Sequence, residues 1–286
     1  MREDIGPGRE LPRRDGVFVV RFDVAGIPCQ VECGQEALWS LLSSRYAGFV
    51  SDDVPQLSLR VEMTAAPPDE VWAQWSGPFA RIAGGDGVLS IEGPGFSGTF
   101  DERSSKGWIT QALDPSPLET FLTAICAGRL LRESGFFLHA AGIVEGTGAY
   151  VFFGPSGSGK TTVAELVGED VISDEIVAIR RVGNRYRVSG VPWRGQRLSA
   201  PLAGLFRLRK AQETSFRPLS PMEAVRQLLP SAFFSRPDLT EIGRFLEIGG
   251  EVARTVRSYE MCFAPDRSFL AAMPRGGGEE AHALPL

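Results

Sequence analysis

A glycine-rich segment is the part of the sequence whose residue types and spacing most clearly indicate chemistry. Residues 154–161 read GPSGSGKT and match G-x-x-x-x-G-K-[ST] at every fixed position, after the apolar run YVFF and before TTVAELV. Glycines let successive backbone N–H groups curve around anionic oxygens, and the N-terminus of the following helix favours negative charge. The segment therefore predicts a phosphate-binding loop of the Walker A type, which we call the phosphate loop.

Two side chains of the phosphate loop suit a nucleoside triphosphate with Mg²⁺. Lys160 would bridge the β- and γ-phosphates as a point charge, and the Thr161 hydroxyl would bind Mg²⁺. From the loop serines we expect the backbone amides to matter more than the hydroxyls. The predicted nucleotide-binding residues are Gly154, Pro155, Ser156, Gly157, Ser158, Gly159, Lys160, Thr161 and Thr162.

Two adjacent carboxylates, Asp174 and Glu175, follow the phosphate loop closely. They lie in VISDEIVAI, an apolar run that predicts a strand. Carboxylates inside a strand are costly to bury unpaired, so we expect a cation or Mg²⁺ beside them. Because adjacent strand residues point to opposite faces, both can reach one site only at a strand end or across a bulge. Asp174 is the preferred residue, as metal ligand or general base, and Glu175 is the second choice. The alternative is that the pair forms a turn or a solvated strand end.

His139 and Arg194 are further candidates for catalysis. His139 lies in the apolar run FFLHAAGIVEG, where a histidine taken alone is more often a satisfied core residue than a functional one. Arg194 lies in VPWRGQ, a loop bounded by Gly and Pro, where a guanidinium could clamp phosphate oxygens or a substrate carboxylate. A solvated loop arginine is the commoner explanation for such a residue.

Apolar runs and turn residues divide the chain into four predicted parts. Residues 1–15 are predicted to be a flexible arm, 16–113 a strand-rich α+β N-terminal domain, 114–273 a nucleotide-binding catalytic domain, and 274–286 a disordered tail. In the first domain, GVFVVRF and IPCQVEC predict strands joined by a turn at Ala25 and Gly26, EALWSLLSSRY predicts a helix, and LSLRVEM predicts a strand. A meander of antiparallel strands then extends to Gln111.

The second domain contains the elements that must position the candidate residues. Its first helix is predicted within DPSPLETFLTAICAGRLLRESG, with Ser116 as the N-cap and Gly135 as the stop signal. The runs FFLHAAGIVEG and AYVFFG predict two strands that lead into the phosphate loop, and the helix after the loop has room for about two turns. Downstream, strands are predicted at RYRVSGVPW, APLAGLFRLRKA and YEMCFAPD, and helices at SPMEAVRQLLPSAF and TEIGRFLEIGGEVARTVRS.

Composition limits the classes of function. The chain has 286 residues, 43% of them hydrophobic, and its net charge of −5 and pI near 5.3 do not suggest a nucleic-acid or anionic-membrane partner. Its four cysteines lack metal-site spacing and are expected to be reduced, largely buried thiols. The N-terminus lacks the apolar core of a secretory signal and no segment has the apolar length of a membrane span, so we expect a cytoplasmic protein.

The segments LHAAGIV, FFGPSGSGKTT and VISDEIVAI, in this order and at these separations, resemble the HPr kinase/phosphorylase family and its phosphoenolpyruvate-carboxykinase-like P-loop fold. The resemblance covers residues 136–200, with weaker support to residue 273. Bacterial relatives encoded beside ribosomally made peptides, such as lasso peptides, also look like GVPWRG, APLAGLFRL, LSPMEAVRQLLP and YEMCFAPD. The resemblance implies a kinase core of the α/β (α+β) class that phosphorylates a serine of a protein or peptide.

The resemblance also implies roles for individual residues. The family's active-site histidine, its loop lysine and hydroxyl, and its paired acids match, in that order, His139, Lys160, Thr161, Asp174 and Glu175. The chain departs from the family pattern because its second acid is a glutamate, Glu169 replaces a histidine, and GVPWRGQ replaces a glycine-rich signature. These departures leave open whether HPr is the substrate and whether the reverse phosphorylase reaction occurs.

The sequence thus predicts an ATP- and Mg²⁺-dependent kinase that transfers the γ-phosphoryl group to a serine hydroxyl of a peptide or protein. One alternative is a kinase for a small molecule such as an amino acid, and another is a nucleotide-sensing regulatory or assembly protein. A phosphoenolpyruvate carboxykinase is disfavoured because the chain is much shorter than those enzymes. The sequence leaves open the acceptor, the choice between ATP and GTP and the role of the N-terminal domain. It also leaves open whether the protein forms a homo-oligomer, which the family suggests by analogy.

Overall fold

The computed structural model describes residues 13–14, 16–65, 80–236 and 238–274, and these residues form a mixed α/β protein. They contain two mixed β-sheets and six α-helices, which confirms the predicted α/β (α+β) class. The chain divides into two compact units, Met1–Phe121 and Leu122–Leu286. The division falls inside the helix Pro115–Arg132, near the predicted boundary between residues 113 and 114.

One eight-stranded sheet forms the framework of the first unit. Its strands are β1 (Arg13–Arg14), β2 (Val17–Val24), β3 (Ile27–Cys33), β4 (Leu57–Met63), β5 (Arg81–Gly85), β6 (Val88–Gly93), β7 (Phe96–Asp101) and β8 (Lys106–Gln111). Their spatial order is β1-β2-β3-β4-β8-β7-β6-β5, with β3–β4 and β4–β8 parallel and the other neighbours antiparallel. Helix α1 (Glu36–Arg45) packs on β2 and β3 and is followed by the 3₁₀ helix Ala47–Phe49.

Most predictions for the first unit agree with the structure. Strands β2 and β3 are joined at Ala25 and Gly26, whose φ angles of 54° and 86° lie in the left-handed region that two-residue hairpin turns require. The predicted meander is present as β5 to β8. Strand β1 lies within the predicted arm and pairs with β2, so strand pairing begins earlier than predicted. The rest of the arm, residues 1–12 and 15, lies outside the described residues.

The second eight-stranded sheet belongs to the second unit. Its strands are β9 (Gly135–Glu145), β10 (Gly148–Phe153), β11 (Val171–Ser173), β12 (Ile176–Val182), β13 (Arg185–Gly190), β14 (Ser199–Lys210), β15 (Ser215–Pro218) and β16 (Ser258–Phe263). The pairs β10–β9, β9–β12, β12–β13, β13–β14 and β14–β10 form a closed circuit. Strands β16 and β15 continue from β14, and β11 pairs with β9.

The helices after residue 114 are α2 (Pro115–Arg132), α3 (Lys160–Val167), α4 (Pro221–Leu228), α5 (Leu239–Thr255) and α6 (Phe269–Ala272), with a 3₁₀ helix at Leu229–Ser231. The predicted ends of α2 are wrong. Asp114 Oδ1 accepts a 2.8 Å hydrogen bond from Ser116 N, so α2 begins earlier and Ser116 lies inside it. At the other end Ser134 takes the left-handed conformation (φ 59°), and Gly135 already belongs to β9.

Two apolar clusters hold the second unit together. One packs the first half of β9 against α4 and α5, and the other packs Ala141 and Ile143 of β9 against Val163 of α3. Because side chains alternate along a strand, His139 lies on the same face of β9 as Ala141 and Ile143. That face is the one on which α3, the helix after the phosphate loop, packs.

The remaining predictions concern the later elements and the cysteines. The predicted strands and helices downstream of β11 agree with β12, β13, β14, β16, α4 and α5, whereas β15 and α6 were not predicted. The predicted tail lies outside the described residues except for Pro274. All four cysteines are free thiols, three of them buried, as predicted. Within the described ranges, no helix combines the length and the apolar character needed to cross a membrane.

Candidate active site

The phosphate loop leaves the end of β10, a strand that is paired on one side with β9 and on the other with β14. Residues 154–159 form the turn, and Lys160 is the first residue of α3. Gly159 has φ 111°, and a Cβ at this position would lie 3.0 Å from the Phe263 ring. Only glycine fits there without strain, because the backbone angle and the aromatic neighbour both exclude a larger residue. The strand, loop and short helix agree with the predicted context.

Backbone amides of the phosphate loop are available to a ligand. Ser158 N donates to Pro155 O at 3.1 Å and Val163 N donates to Gly159 O at 2.9 Å. Within the part of the chain that the structure describes, no acceptor contacts the amides of Ser156, Gly157 and Gly159. The first amides of a helix also lack intrahelical acceptors. This row of unpaired donors fits the oxygens of a phosphate chain.

Lys160 points back into the phosphate loop. Its side chain is 7% exposed, and Nζ donates to the carbonyl oxygens of Gly154 at 3.0 Å and Pro155 at 3.2 Å. Loss of solvent lowers the pKa of the Lys160 ammonium below its ordinary value. The ammonium is thus held at the mouth of the loop, where an anionic ligand would restore the favourable environment that burial removes.

The acidic pair lies between two strands, not within one. The sequence predicted a continuous strand with Asp174 and Glu175 in its middle, but β11 ends at Ser173 and β12 begins at Ile176. The buried Ser173 Oγ accepts from Glu175 N at 3.1 Å and Ile176 N at 3.0 Å, and it donates to Arg194 O. We call residues 173–175 the acidic corner. Because these hydrogen bonds interrupt the strand, the two carboxylates need not point to opposite faces of the sheet, as adjacent residues within a strand do.

A single cleft of about 400 Å³ brings the two halves of the candidate site together. It is lined by His139, Ser156, Gly157, Gly159, Lys160, Thr161, Thr162, Asp174, Glu175 and Lys210. Among the predicted residues, Gly154, Pro155, Ser158 and Arg194 do not line it. Pro155 and Ser158 line a second cavity, which we call the outer cavity, together with Ser156, Gly157 and residues 207–210.

His139 lies opposite Ile176 in the pairing of β9 with β12 and is half-buried at the cleft. Its ring lies edge-on to Phe233, with centroids 6.5 Å apart. Burial, and then the positive charge of Lys160, lower the pKa of His139, while Glu175 and Asp174 oppose that shift. The imidazole is therefore neutral at pH 7, and a neutral ring can both donate and accept a hydrogen bond.

Arg194 reaches the cleft only through Glu175. Its Nη1 lies 3.1 Å from Glu175 Oε2, and the two side chains are 47% and 40% exposed. Its carbonyl oxygen accepts the Ser173 hydroxyl, so both ends of Arg194 contact the acidic corner. The guanidinium is therefore not freely solvated, because it forms an ion pair with Glu175. The predicted contact with phosphate oxygens stays a prediction.

Lys210, which the sequence analysis did not select, also lines the cleft. It ends β14, which runs parallel to β10 with Arg207 paired to Phe153, so the two strands end at the same edge of the sheet. The sequence contains three lysines, Lys106, Lys160 and Lys210, beside 27 arginines, and two of the three line this cleft. The parallel pairing of distant strands, which no local pattern reveals, is what assembles them.

The oxygens lining the cleft suit Mg²⁺. In the described ranges no group of three or more His, Cys, Asp or Glu residues could hold a metal by itself. Mg²⁺ commonly takes one or two carboxylates and completes its coordination with water and substrate phosphates. Thr161, Asp174 and Glu175 offer a hydroxyl and two carboxylates in one cleft, which is a donor set that fits this ion.

Comparison with known proteins does not assign the chain to a family. No protein-family model matches the chain, and no curated protein is significantly similar to it.

Proposed function

We propose that this protein is an ATP- and Mg²⁺-dependent kinase that transfers the γ-phosphoryl group to a serine hydroxyl of a peptide or protein. The observation that carries the proposal is the shared cleft, in which Lys160, Thr161, Asp174, Glu175 and His139 line one space at the end of a strand, loop and helix. We also propose that the second unit has the phosphoenolpyruvate-carboxykinase-like P-loop fold of HPr kinase/phosphorylases, on the segments that resemble that family.

Nucleotide binding in this proposal is the task of the phosphate loop. The unpaired amides of Ser156, Gly157 and Gly159 donate to the phosphate oxygens, and Lys160 exchanges its contacts with the loop carbonyls for the β- and γ-phosphates. Thr161 and Asp174 would hold Mg²⁺, with Glu175 as an additional ligand. A bound Mg²⁺ neutralises charge that develops on the transferring group.

Phosphoryl transfer in this proposal depends on the acidic corner. The oxygen of the acceptor serine forms a bond to the γ-phosphorus while the bond from that phosphorus to the β-bridging oxygen breaks, and ADP departs with the electron pair. The serine proton passes to the Asp174 carboxylate, which is exposed at the cleft and can take it directly. Glu175 is paired with Arg194, so we assign the proton to Asp174 and leave Glu175 as a ligand for Mg²⁺.

His139 and Arg194 assist without holding the transferred proton. The neutral His139 ring can hydrogen-bond the acceptor hydroxyl or orient the Asp174 carboxylate. Arg194 fixes the direction of the Glu175 side chain through the ion pair at 3.1 Å. Both residues are positioning residues, and their substitution should lower the rate less than loss of Asp174.

The test uses the full-length protein, Mg²⁺ and ATP with a degenerate peptide library that has a fixed central serine and no other hydroxyl side chain. A matched library has alanine at the centre, and a separate reaction contains the free amino acids. Phosphopeptides detected by mass spectrometry should appear only with the serine library, and Lys160→Ala should abolish them. Lys106→Ala removes an exposed lysine from β8 in the first unit and is the matched control.

The outcomes separate the three functions. Phosphate on the free amino acids and not on the library would favour the small-molecule kinase. Nucleotide binding that depends on Lys160 but gives no phosphorylated product would favour the nucleotide-sensing regulator. Equal activity in the Lys160→Ala and Lys106→Ala proteins would contradict the use of the phosphate loop altogether.

A further inference from the structure

The outer cavity is a second space of about 460 Å³ beside the phosphate loop. Residues 155–158 form one wall and residues 207–210, at the end of β14, form the other. Ser156, Gly157 and Lys210 line both the cleft and the outer cavity. The loop tip and Lys210 therefore separate the two spaces, and a group bound in one lies next to a group bound in the other.

Two of the three cations that line the outer cavity form no ion pair among the described residues. Arg207 is neutralised by Glu260, since Nη1 lies 2.9 Å from Glu260 Oε2. Arg209 and Lys210 follow on the same strand and are exposed. Neither forms an ion pair with any residue in the described ranges. Adjacent strand residues usually point to opposite faces, but these two lie at the end of β14 and both line the outer cavity. Their like charges repel each other, so an anion bound in the cavity would be favourable.

Ser158 adds a polar group that lacks a partner. Its side chain is only 6% exposed and lines the outer cavity, and in the described part of the chain Oγ has no hydrogen-bond partner. A buried hydroxyl without a partner costs free energy, which a ligand oxygen could recover. The sequence analysis expected only the amide of this serine to matter. The structure leaves its buried hydroxyl without a protein partner at the wall of the outer cavity.

We propose that the outer cavity is a second oxyanion site, with Arg209, Lys210 and the Ser158 hydroxyl as its donors. The site takes a phosphate or carboxylate group of a substrate, and this identification rests on the proposed kinase function. Arginine and lysine donate charge-assisted hydrogen bonds to such groups, and the serine hydroxyl supplies a neutral donor. Lys210, shared by both spaces, links the oxyanion to the nucleotide phosphates in the cleft.

The oxyanion can come from two sources. It can be part of the nucleotide, if the phosphate chain extends past the loop tip, or it can be an acidic or phosphorylated group on the acceptor. The cleft already holds Lys160, Thr161 and the two carboxylates that the terminal phosphate requires. An experiment can therefore fill the cleft first and ask whether a second oxyanion still binds.

The experiment is isothermal titration calorimetry of inorganic phosphate into the full-length protein saturated with Mg²⁺ and the non-hydrolysable ATP analogue AMP-PNP. Phosphate should bind the saturated wild type, and Lys210→Ala and Arg209→Ala should each weaken that binding by about tenfold, because each removes a charge-assisted donor. Ser158→Ala should have a smaller effect. Lys106→Ala and Arg226→Ala, which remove exposed cations elsewhere, are the matched controls and should leave phosphate binding unchanged.

Each outcome either identifies the source of the oxyanion or contradicts the proposed site. If the saturated protein does not bind phosphate but Lys210→Ala and Arg209→Ala weaken AMP-PNP itself, the site holds an oxyanion of the nucleotide. If these two variants change neither phosphate nor AMP-PNP binding, or if the controls change it equally, the proposal is overturned. Failure of the kinase is distinguishable from this result. Phosphate titrated into the protein saturated with AMP-PNP reports the outer cavity whether or not any peptide is phosphorylated.

Discussion

The phosphate loop and the acidic corner face the same cleft but are assembled in different ways. The loop is formed by consecutive residues that contact one another: Ser158 N donates to Pro155 O, and Lys160 Nζ donates to Gly154 O. The acidic corner depends on Ser173 reaching Arg194, 21 residues later, and on two separate strands pairing with β9. Changes in the loop should therefore act on nucleotide binding or local strain, whereas changes in the corner should act on how the strands meet.

The largest expected effect comes from the exposed acid of the corner. Asp174→Asn should lower the rate of peptide phosphorylation by about 10²–10⁴-fold, because the amide cannot accept the serine proton. The free energy of unfolding should change by less than about 0.5 kcal/mol, since the side chain is exposed. The measurements are phosphate incorporation into the serine library and urea unfolding.

The control for Asp174→Asn is Asp170→Asn, which alters an exposed acid before β11 and should leave the rate unchanged. A wild-type rate in Asp174→Asn would remove Asp174 as the base. A larger loss in Glu175→Gln than in Asp174→Asn would exchange the two roles.

On the loop side, Gly159→Ala should destabilise the fold through strain. A residue with a Cβ pays about 1–2 kcal/mol for a left-handed backbone, and crowding against Phe263 adds about 1–3 kcal/mol by analogy with overpacked cores. Gly157→Ala is the matched control because Gly157, in the same loop, also has positive φ (74°), whereas a Cβ added there would meet nothing within 4 Å. Urea unfolding of both variants isolates the Phe263 contribution, and equal losses would show that crowding contributes nothing.

Ser173→Ala should impair the acidic corner without affecting nucleotide binding by the phosphate loop. The substitution leaves Glu175 N and Ile176 N without their acceptor, at a cost of about 1–3 kcal/mol in the free energy of unfolding. The rate should fall by up to about a hundredfold because the carboxylates lose their position, while AMP-PNP affinity stays within about twofold. Ser189→Ala, which removes an exposed hydroxyl pair with Ser199, is the control. A large loss of nucleotide affinity would contradict the independence of the two halves.

Arg194→Ala should have a smaller effect, because its ion pair with Glu175 is half exposed. Such pairs contribute at most about 1 kcal/mol to stability, and the rate should fall by less than about tenfold by the same reasoning. The loss should shrink as salt is added, and Arg194→Lys should recover part of it. A loss of a hundredfold or more that Lys does not recover would mean that the guanidinium contacts phosphate directly.

What the sequence could predict follows the same division between local and distant contacts. The turn at Ala25 and Gly26, the phosphate loop and the two-turn helix after it depend on neighbouring residues, and all agree with the structure. The break at Asp174 was only the alternative to a continuous strand, because it depends on Ser173 and on a loop 21 residues away. The end of β14 at Lys210 became part of the cleft only through parallel pairing with β10.

Short-range competition explains the other differences. Ser116 was expected to cap α2, but Asp114 performs that task two residues earlier. Strand β15 has four residues and is defined by its pairing with β16, so its own sequence carries little signal. Sequence patterns thus predicted the local elements more completely than they predicted which distant residues would meet.

The last prediction concerns the effect of the Lys160 charge on the pKa of His139, which lies beside the acidic corner in the cleft. Lys160 lowers the pKa of His139 together with burial, so Lys160→Ala should raise that pKa toward its ordinary value of 6.5. The sign for stability follows from linkage. A histidine whose folded pKa lies below 6.5 takes up its proton in the unfolded state first, so stability is fully present above pH 6.5 and decreases as the pH falls toward the folded pKa.

The measurement is an NMR titration of the histidine ring signals in wild type and Lys160→Ala, with His139→Gln identifying which of the two histidines is His139. Lys106→Ala is again the control and should leave the titration unchanged. An unchanged His139 midpoint in Lys160→Ala would mean that burial alone sets its pKa. The phosphate loop and the acidic corner would then share a cleft without electrostatic coupling through this residue, and nucleotide phosphates entering the loop should likewise leave the His139 titration unmoved.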